Sequence, residues 1–227
     1  MHCANKFKKL QSDKKLWGEI MRISLTADHN GFELKKELIE HIKFLGHEAI
    51  DLGPYEYEST DDYPDYAKII SDNVSKQETD RGIMICGSGV GASVAANKIK
   101  GTRAAVCHDI YSAHQGVEHD DMNLLCIGSK IIGVEIAKEL VKAFIDAKYT
   151  GEERHSRRLN KVLNMEDEFN QKEHLSTLKK REDELYEEIE ELKTLNNKKV
   201  FQNRAVIFLG ISILIVLLWI LANSIIQ

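Results

Sequence analysis

A glycine-rich loop in the first half of the chain has a composition suited to binding an anion. The apolar segment GIMIC at 82–86 precedes it, and the loop itself, GSGVGA, occupies Gly87–Ala92. At a junction between a strand and a helix, backbone N–H groups converge and the helix N-terminus adds positive partial charge. The loop therefore indicates an anion site. Glycines that only turn the chain are the alternative.

One interpretation of this loop is a dinucleotide-binding site. It fits the pattern G-x-G-x-x-A, and Asp109, twenty-two residues after Gly87, could accept a hydrogen bond from a ribose hydroxyl. Against this interpretation, the globular part is short and leaves little room for a substrate domain. The interpretation also leaves Cys86, His119 and a pair of arginines near residue 155 without a role.

These two arginines have a spacing suited to a phosphate. Arg154 and Arg158 stand four residues apart, so a helix places them on one face. A planar guanidinium group donates two parallel hydrogen bonds to a phosphate. A solvated basic face is the alternative.

Short apolar segments alternate with amphipathic ones from residue 22 onwards. The predicted strands are 22–27, 47–52, 82–86, 102–107 and 123–128. The predicted helices are 31–45, 62–75, one from the loop to 98, 111–118, 134–147 and one that begins near 153. This alternation predicts an α/β fold with a five-stranded parallel sheet covered by helices on both faces.

Ligands of such folds bind beyond the carboxyl ends of the strands, where the strand order reverses. Polar residues follow three of the predicted strands: Asp28 and His29, the Cys86 loop, and His108 with Asp109. The sequence therefore predicts a site at this edge of the sheet.

Composition and charge narrow the class of protein. The 227 residues, 43% hydrophobic and 30% charged, are enough for one ordinary domain with appendages. A net charge of -5 argues against nucleic acid as a partner. The four cysteines (Cys3, Cys86, Cys107 and Cys126) form no C-x-x-C pair, so they predict neither a zinc site nor a disulfide framework.

Four segments of different composition are predicted. Residues 1–20 form a basic N-terminal extension, 21–165 the α/β domain, and 166–204 a charged helical stalk or short coiled coil. Residues 205–227 carry no charge and are long enough for a transmembrane helix, with Lys198, Lys199 and Arg204 before it. This pattern predicts a C-terminal membrane anchor with the catalytic domain in the cytoplasm.

Five motifs of the α/β domain resemble the ribose-5-phosphate isomerase B family, which includes galactose-6-phosphate isomerase subunits. They are ADHNGFELK at 27–35, DYPDYA at 62–67, GIMICGSGVGASVAANK at 82–98, EHDDMN at 118–123 and ERHSRR at 153–158. The resemblance covers about residues 22–165, with the motifs in order and at the family's spacing.

The resemblance implies an aldose–ketose isomerase with a Rossmann-like α/β/α sandwich and no metal or other cofactor. It also implies a homodimer or homotetramer with its sites at the subunit interface. A proton next to a carbonyl moves between adjacent carbons through an enediolate. This chemistry needs a base, donors for the oxyanion and a grip on the phosphate.

The resemblance also assigns roles to residues. Cys86 matches the base of the members that use a thiol, since Ala92 stands where other members place a glutamate. A helix N-terminus favours a thiolate, although a free cysteine is more often a small buried apolar residue. The expected anion hole is Ser88 with the backbone N–H groups of Gly87, Gly89, Val90 and Gly91. Asp28 and His119 resemble the residues that assist opening of the sugar ring. His29, Arg154 and Arg158 resemble those that bind the phosphate.

Two residues depart from the family pattern within the substrate region. Asp120 stands where the family usually has asparagine, and Lys130 where it often has arginine. A carboxylate only accepts hydrogen bonds, and a lysine lacks the planar fork of arginine. These two departures bear on the identity of the sugar more than on the reaction type. From the resemblance we expect ribose 5-phosphate and ribulose 5-phosphate as the substrate pair. A hexose 6-phosphate of galactose or allose type and a catalytically silent scaffold are the alternatives.

Overall fold

The computed structural model describes residues 20–199 and 204–224, without the side chains of 170, 173, 194–209 and 222–224. Nearly all of the predicted basic extension at 1–20, with Cys3, lies outside the described residues. The described chain forms two compact units, the first ending at Asp167 and the second beginning at Glu168.

The first unit alternates strands and helices, as predicted. The strands are β1 (Arg22–Ala27), β2 (Glu48–Asp51), β3 (Arg81–Cys86), β4 (Ala104–Val106) and β5 (Leu124–Gly128). The helices are α1 (Phe32–Phe44), α2 (Tyr63–Ser75), α3 (Val90–Ala96), α4 (Ile110–Asp120), α5 (Val134–Asp146) and α6 (Glu153–Lys199), of which α6 continues into the second unit.

The five strands form one parallel sheet in the order β2-β1-β3-β5-β4, which confirms the predicted core of the fold class. β1 is followed in the chain by its neighbour on one side and then by its neighbour on the other. The strand order therefore reverses between β1 and β3, and this reversal opens a crevice at the carboxyl ends of these two strands.

Both faces of the sheet are buried under helices. Successive side chains of a strand point to opposite faces, so each strand packs against both helix layers. On β3, Ile83 and Ile85 pack against the layer of α1, α4 and α5, whereas Met84 and Cys86 pack against α2 and α3. This double burial explains why the central strands are almost continuously apolar. It also places the Cys86 side chain on the face that α2 and α3 cover.

A buried lysine connects α1 to the loop after β2. The Lys35 side chain is only 1% exposed, and its Nζ lies 2.5 Å from Asp51 Oδ1 and donates to the Pro54 carbonyl at 2.8 Å. The aromatic rings of Phe32 and Tyr55 flank the ammonium group at 5.8 Å. This cluster holds the loop that leads to α2 against the domain.

The second unit contains the remainder of α6, from residue 168, and α7 (Arg204–Ser224). Apolar and aromatic side chains of both helices, among them Leu185, Tyr186, Leu214 and Leu218, line a small cleft. Within the predicted stalk at 166–204, residues 166–199 are helical.

The C-terminal apolar segment does not meet the requirements of a membrane span. A helix needs about 20 consecutive apolar residues to cross the hydrocarbon core of a bilayer. Over residues 20–199 and 204–224, no helix combines sufficient length with sufficient apolarity. The prediction of a transmembrane anchor over 205–227 is therefore wrong. The predicted single-pass membrane localisation, and the membrane as a partner, depended on that anchor and are wrong with it.

We expect Lys35→Met to lower the free energy of unfolding by about 2–3 kcal/mol, because it leaves Asp51 without its buried partner. Lys36→Met is the matched control. Lys36 forms an exposed pair with Glu33 at 3.0 Å, and such pairs contribute less than about 1 kcal/mol. Urea unfolding of both variants measures the difference. Equal stability of the two variants would contradict a structural role for the Lys35 cluster.

Candidate active site

The crevice between β1 and β3 brings together several of the predicted site residues. Asp28 and His29 directly follow β1, and Cys86 ends β3. The two strand ends approach closely, since the Asp28 N–H donates to the Ile85 carbonyl at 3.1 Å. Polar groups with different chemistry therefore meet where the strand order reverses.

The glycine-rich loop wraps around the Cys86 thiol. Gly89 has φ +82°, and its N–H donates to Cys86 Sγ at 3.0 Å. A Cβ atom on Gly89 would also lie 3.1 Å from the Val106 side chain. This position therefore requires glycine both for its conformation and for space. Ser88, at the exposed tip of the loop, accepts a hydrogen bond from the Val90 N–H at 3.3 Å.

Cys86 is 5% exposed, and its backbone is fixed by a neighbouring serine. The Cys86 carbonyl accepts hydrogen bonds from Ser129 N at 2.8 Å and from Ser129 Oγ at 3.1 Å. The other two described cysteines lie in the core, and burial raises the pKa of Cys107 to about 11 and the pKa of Cys126 further still. Of these three thiols, only Cys86 adjoins the glycine-rich loop.

The carboxylate of Asp28 is buried at the start of α1. Its Oδ1 accepts hydrogen bonds from the Asn30 N–H at 2.8 Å and the Gly31 N–H at 3.1 Å. A Cβ on Gly31 would lie 2.5 Å from the Ile85 carbonyl oxygen, so this turn presses directly on β3. The position of the carboxylate is thus determined by the backbone around it.

Two residues that the sequence did not predict surround His29. Asp61 Oδ1 lies 2.6 Å from His29 Nδ1, and Asn30 Nδ2 lies 2.7 Å from His29 Nε2. A third, Tyr63, packs against the glycine-rich loop, because a Cβ on Gly91 would lie 2.7 Å from its ring. Asn30 and Tyr63 lie within the quoted motifs, whereas no sequence signal distinguished Asp61 from the acidic residues around it.

His119 lies elsewhere, near the end of α4, and its ring contacts a second histidine at an interplanar angle of 34°. The ring centroids of His119 and His155 are 3.9 Å apart, and His119 Nδ1 lies 2.7 Å from Gln115 Nε2. His155 is only 2% exposed and contacts Thr150 Oγ1 through Nδ1 at 2.9 Å. Burial, followed by the charges of His119 and Arg154, lowers the pKa of His155.

The remaining predicted residues are exposed. Arg154 and Arg158 lie in the first turns of α6, where Arg154 Nε donates to Glu152 Oε2 at 2.9 Å. Asp120 is the last residue of α4. Lys130 follows β5, and its N–H donates to the Gly87 carbonyl at 3.1 Å. Lys130 therefore adjoins the loop, whereas Asp120 does not.

Topology separates these residues into two groups. Each crossover helix begins at the carboxyl ends of the parallel strands and returns to their amino ends. Cys86, Asp28, His29 and Lys130 therefore lie at the carboxyl edge. The group of His119, Asp120, Arg154 and Arg158 lies at the amino edge, where the Thr150 N–H donates to the Glu118 carbonyl at 3.1 Å. A strand of 6 residues such as β3 separates the edges by about 20 Å.

The ribose-binding role that the dinucleotide interpretation gave to Asp109 is not supported. Its Oδ1 accepts from the Ser112 N–H at 2.8 Å and its Oδ2 from Ser112 Oγ at 2.7 Å. These hydrogen bonds lower the pKa of Asp109. The carboxylate caps the N-terminus of α4 instead.

Comparison with known proteins shows one consistent similarity. A family model described as Ribose/Galactose Isomerase matches residues 23–162. Ribose-5-phosphate isomerase B of Escherichia coli is 44% identical over 149 residues, which cover 66% of this chain and 99% of that protein.

Solved structures agree. Ribose-5-phosphate isomerase B of Mycoplasma genitalium, with bound ribulose 5-phosphate, has a TM-score of 0.62 and 39% identity, and the match covers 65% of this chain and 97% of that one. The Clostridium thermocellum enzyme of the same name has a TM-score of 0.63 and 40% identity over 66% of this chain and 99% of that one.

We expect the stability of the chain to fall as the pH drops below about 6.5, the ordinary pKa of histidine. Because the folded-state pKa of His155 is lowered, the unfolded chain takes up the proton first. The neutral His155 ring adds to the free energy of unfolding above about pH 6.5. This stabilisation is lost as the pH falls toward the lower, folded-state pKa of His155. In His155→Gln, the decrease in unfolding free energy between pH 7 and pH 5 should be smaller. Urea unfolding across that range measures it.

His114→Gln is the matched control, because the His114 side chain is 48% exposed. Its pH dependence should equal that of the unsubstituted chain. An unchanged pH dependence in His155→Gln would contradict the assignment to His155.

Proposed function

The chain belongs to the ribose/galactose isomerase family, which confirms the resemblance in its sequence, and it is a sugar-phosphate isomerase. From this family membership we propose that it interconverts ribose 5-phosphate and ribulose 5-phosphate. The observation that carries the proposal is the Cys86 thiol, enclosed by the glycine-rich loop where the strand order reverses. A relative that matches over nearly its full length was solved with bound ribulose 5-phosphate.

In the proposed mechanism, Cys86 is the base. Its thiolate removes the proton from C2 of the open-chain aldose, and the electron pair of that bond forms the enediolate. Return of the proton to C1, together with transfer of the O2 hydroxyl proton to O1, gives the ketose. The Gly89 N–H that donates to Cys86 Sγ at 3.0 Å supports this role, because it fixes the position of the sulfur beside the loop.

The glycine-rich loop stabilises the negative charge of the enediolate. The N–H groups of Gly87 and Gly91 and the hydroxyl of Ser88 are the proposed donors. The Gly89 and Val90 N–H groups donate to Cys86 Sγ and Ser88 Oγ within the loop, and they join the anion hole by sharing their hydrogens with the substrate. The left-handed conformation of Gly89 holds the loop in place before substrate binds. Donors that are already oriented stabilise a developing charge without the cost of reorganisation.

Ring opening transfers a proton from a sugar hydroxyl to the ring oxygen, and we assign it to Asp28 and His119. Histidine suits the task because it changes charge near neutral pH. The phosphate is assigned to His29, Arg154 and Arg158, and the exposure of both arginines leaves their guanidinium groups accessible to a ligand.

These assignments require a second copy of the chain. Cys86, Asp28 and His29 lie at the carboxyl edge of the sheet, whereas His119 and the two arginines lie about 20 Å away at the amino edge. One substrate can contact both groups only if the carboxyl edge of one subunit meets the amino edge of its partner. A two-fold symmetric dimer would contain two such sites, and a tetramer four.

Asp120 and Lys130 are the proposed determinants of the sugar. Lys130 lies beside Gly87, with its Cδ 3.8 Å from where a Cβ on that residue would stand. It can reach a substrate held by the loop. A preference for allose 6-phosphate or galactose 6-phosphate would assign these two residues to specificity for a six-carbon sugar.

We expect Cys86→Ala to lower the kcat for ribose 5-phosphate by about 10²–10⁴-fold, the usual contribution of a general base. Turnover is measured with ribose 5-phosphate, allose 6-phosphate and galactose 6-phosphate in parallel. Cys107→Ala, which alters a buried thiol outside the loop, is the control and should keep its kcat. Turnover by Cys86→Ala at the unsubstituted rate would exclude Cys86 as the base. If the folded, unsubstituted chain converted none of the three sugars, it would be a silent scaffold.

Mixing two inactive variants tests the shared site. Cys86→Ala and His119→Ala each disable every site of their own oligomers. After the subunits are exchanged, half of the dimers are mixed, and each of these contains one intact site. We expect the mixture to regain roughly a quarter of the unsubstituted turnover. If both groups instead acted within one chain, the mixture would stay inactive.

A further inference from the structure

A buried carboxylate contacts His29 from a distant part of the chain. Asp61 Oδ1 accepts the His29 backbone N–H at 3.1 Å and lies 2.6 Å from His29 Nδ1. The Asp61 side chain is 5% exposed, whereas the His29 side chain is 29% exposed. The histidine can therefore meet a ligand that the carboxylate behind it cannot.

The contact determines which nitrogen of His29 carries a proton. A carboxylate oxygen only accepts hydrogen bonds, so Nδ1 must be the donor toward Asp61. Nε2 then points away from the carboxylate, and Asn30 Nδ2 lies 2.7 Å from it. In the neutral ring, Nε2 accepts from this amide. With a second proton, Nε2 becomes a donor and can bind an anion once the Asn30 amide group turns away from it.

The second oxygen of Asp61, Oδ2, is also buried. The Tyr66 hydroxyl lies beside this carboxylate: burial, then the negative charge of Asp61 and a hydrogen bond to it, raise the pKa of Tyr66. A buried carboxylate is destabilising unless hydrogen bonds or a positive charge compensate it. The His29 donors and the Tyr66 hydroxyl therefore hold Asp61 in place behind the imidazole ring.

The loop that carries Asp61 is anchored at its other end. Lys35 binds Asp51 and the Pro54 carbonyl, and the rings of Phe32 and Tyr57 meet edge to face at 6.0 Å. Asp62, the next residue, starts α2. Asp61 is therefore held between two fixed elements and is well placed to orient another side chain.

We propose that Asp61 is a positioning residue that holds His29 with Nδ1–H toward the interior and Nε2 toward the substrate phosphate. This inference rests on the phosphate-binding role proposed for His29. The phosphate and the Asp61 carboxylate would lie on opposite sides of one imidazolium ring. Asp61 itself contacts neither the substrate nor the reacting atoms.

The first test compares Asp61→Asn with Asp65→Asn. The asparagine keeps an oxygen that can accept from both His29 donors but removes the charge. Asp65 is an exposed carboxylate in the first turn of α2, so its substitution is the matched control. We expect Asp61→Asn to weaken binding of inorganic phosphate and to raise KM for ribose 5-phosphate by about tenfold, with kcat changed by less than about threefold. The control should change neither.

A double-mutant cycle separates positioning from general structural damage. If Asp61 acts through His29, Asp61→Asn should cause no further loss of phosphate affinity in a His29→Ala background. An equal loss in both backgrounds overturns the proposal, as does unchanged phosphate affinity in the single variant. Nitrogen-15 NMR of the unsubstituted chain provides a measurement without any substitution. We expect a protonated His29 Nδ1, and a proton on Nε2 alone overturns the proposal.

Phosphate binding also distinguishes this inference from the proposed function. If the chain binds phosphate with the expected His29–Asp61 coupling but does not convert ribose 5-phosphate, the inference holds and the assigned substrate is wrong. If it converts the sugar and the coupling is absent, only the inference fails. A chain that binds no phosphate overturns the inference and the phosphate-binding assignment together.

Discussion

The reversal of strand order between β1 and β3 is the constraint on which the rest of the site depends. The connection after β1 leads to one side of the sheet and the connection after β3 leads to the other side. A crevice therefore opens between the carboxyl ends of these two strands, and Asp28 and Cys86 face it. The same parallel topology sends α4 back to the amino edge with His119 near its end. The fold therefore brings the carboxyl-edge residues of the proposed site together and separates them from the amino-edge residues of the same chain. Symmetric association is the simplest way to reunite them.

The two edges use buried polar groups differently. At the carboxyl edge, backbone N–H groups and one glycine in the left-handed region orient Asp28 and Cys86, so little side-chain freedom remains to be lost when substrate binds. At the amino edge, the rings of His119 and His155 lie in contact, and burial lowers the pKa of His155. The first edge is suited to stabilising a developing negative charge, and the second to transferring a proton.

Much of the fold follows from sequence pattern, because strands buried on both faces and amphipathic helices have distinct periodicities. The limits of β1 agree to the residue. β4 is shorter than predicted, since it is an edge strand and pairs with β5 over Ala104–Val106 alone. Asp61 was missed because nothing local distinguishes a buried carboxylate within an acidic loop. The uncharged C-terminal segment predicts a membrane span, but no helix among the described residues is both long and apolar enough to form one.

The Lys35 cluster has a consequence for how this family can diversify. Because the ammonium group ties the start of the loop to the last residue of β2 and to the Pro54 carbonyl, the loop can change in length between Pro54 and Asp61 without disturbing the core. Each such change would shift the carboxylate behind His29 and alter the angle at which the ring meets a ligand. A selection or library experiment that varies only this loop could therefore change the proposed anion recognition while the proposed base, Cys86, and its strand stay unaltered.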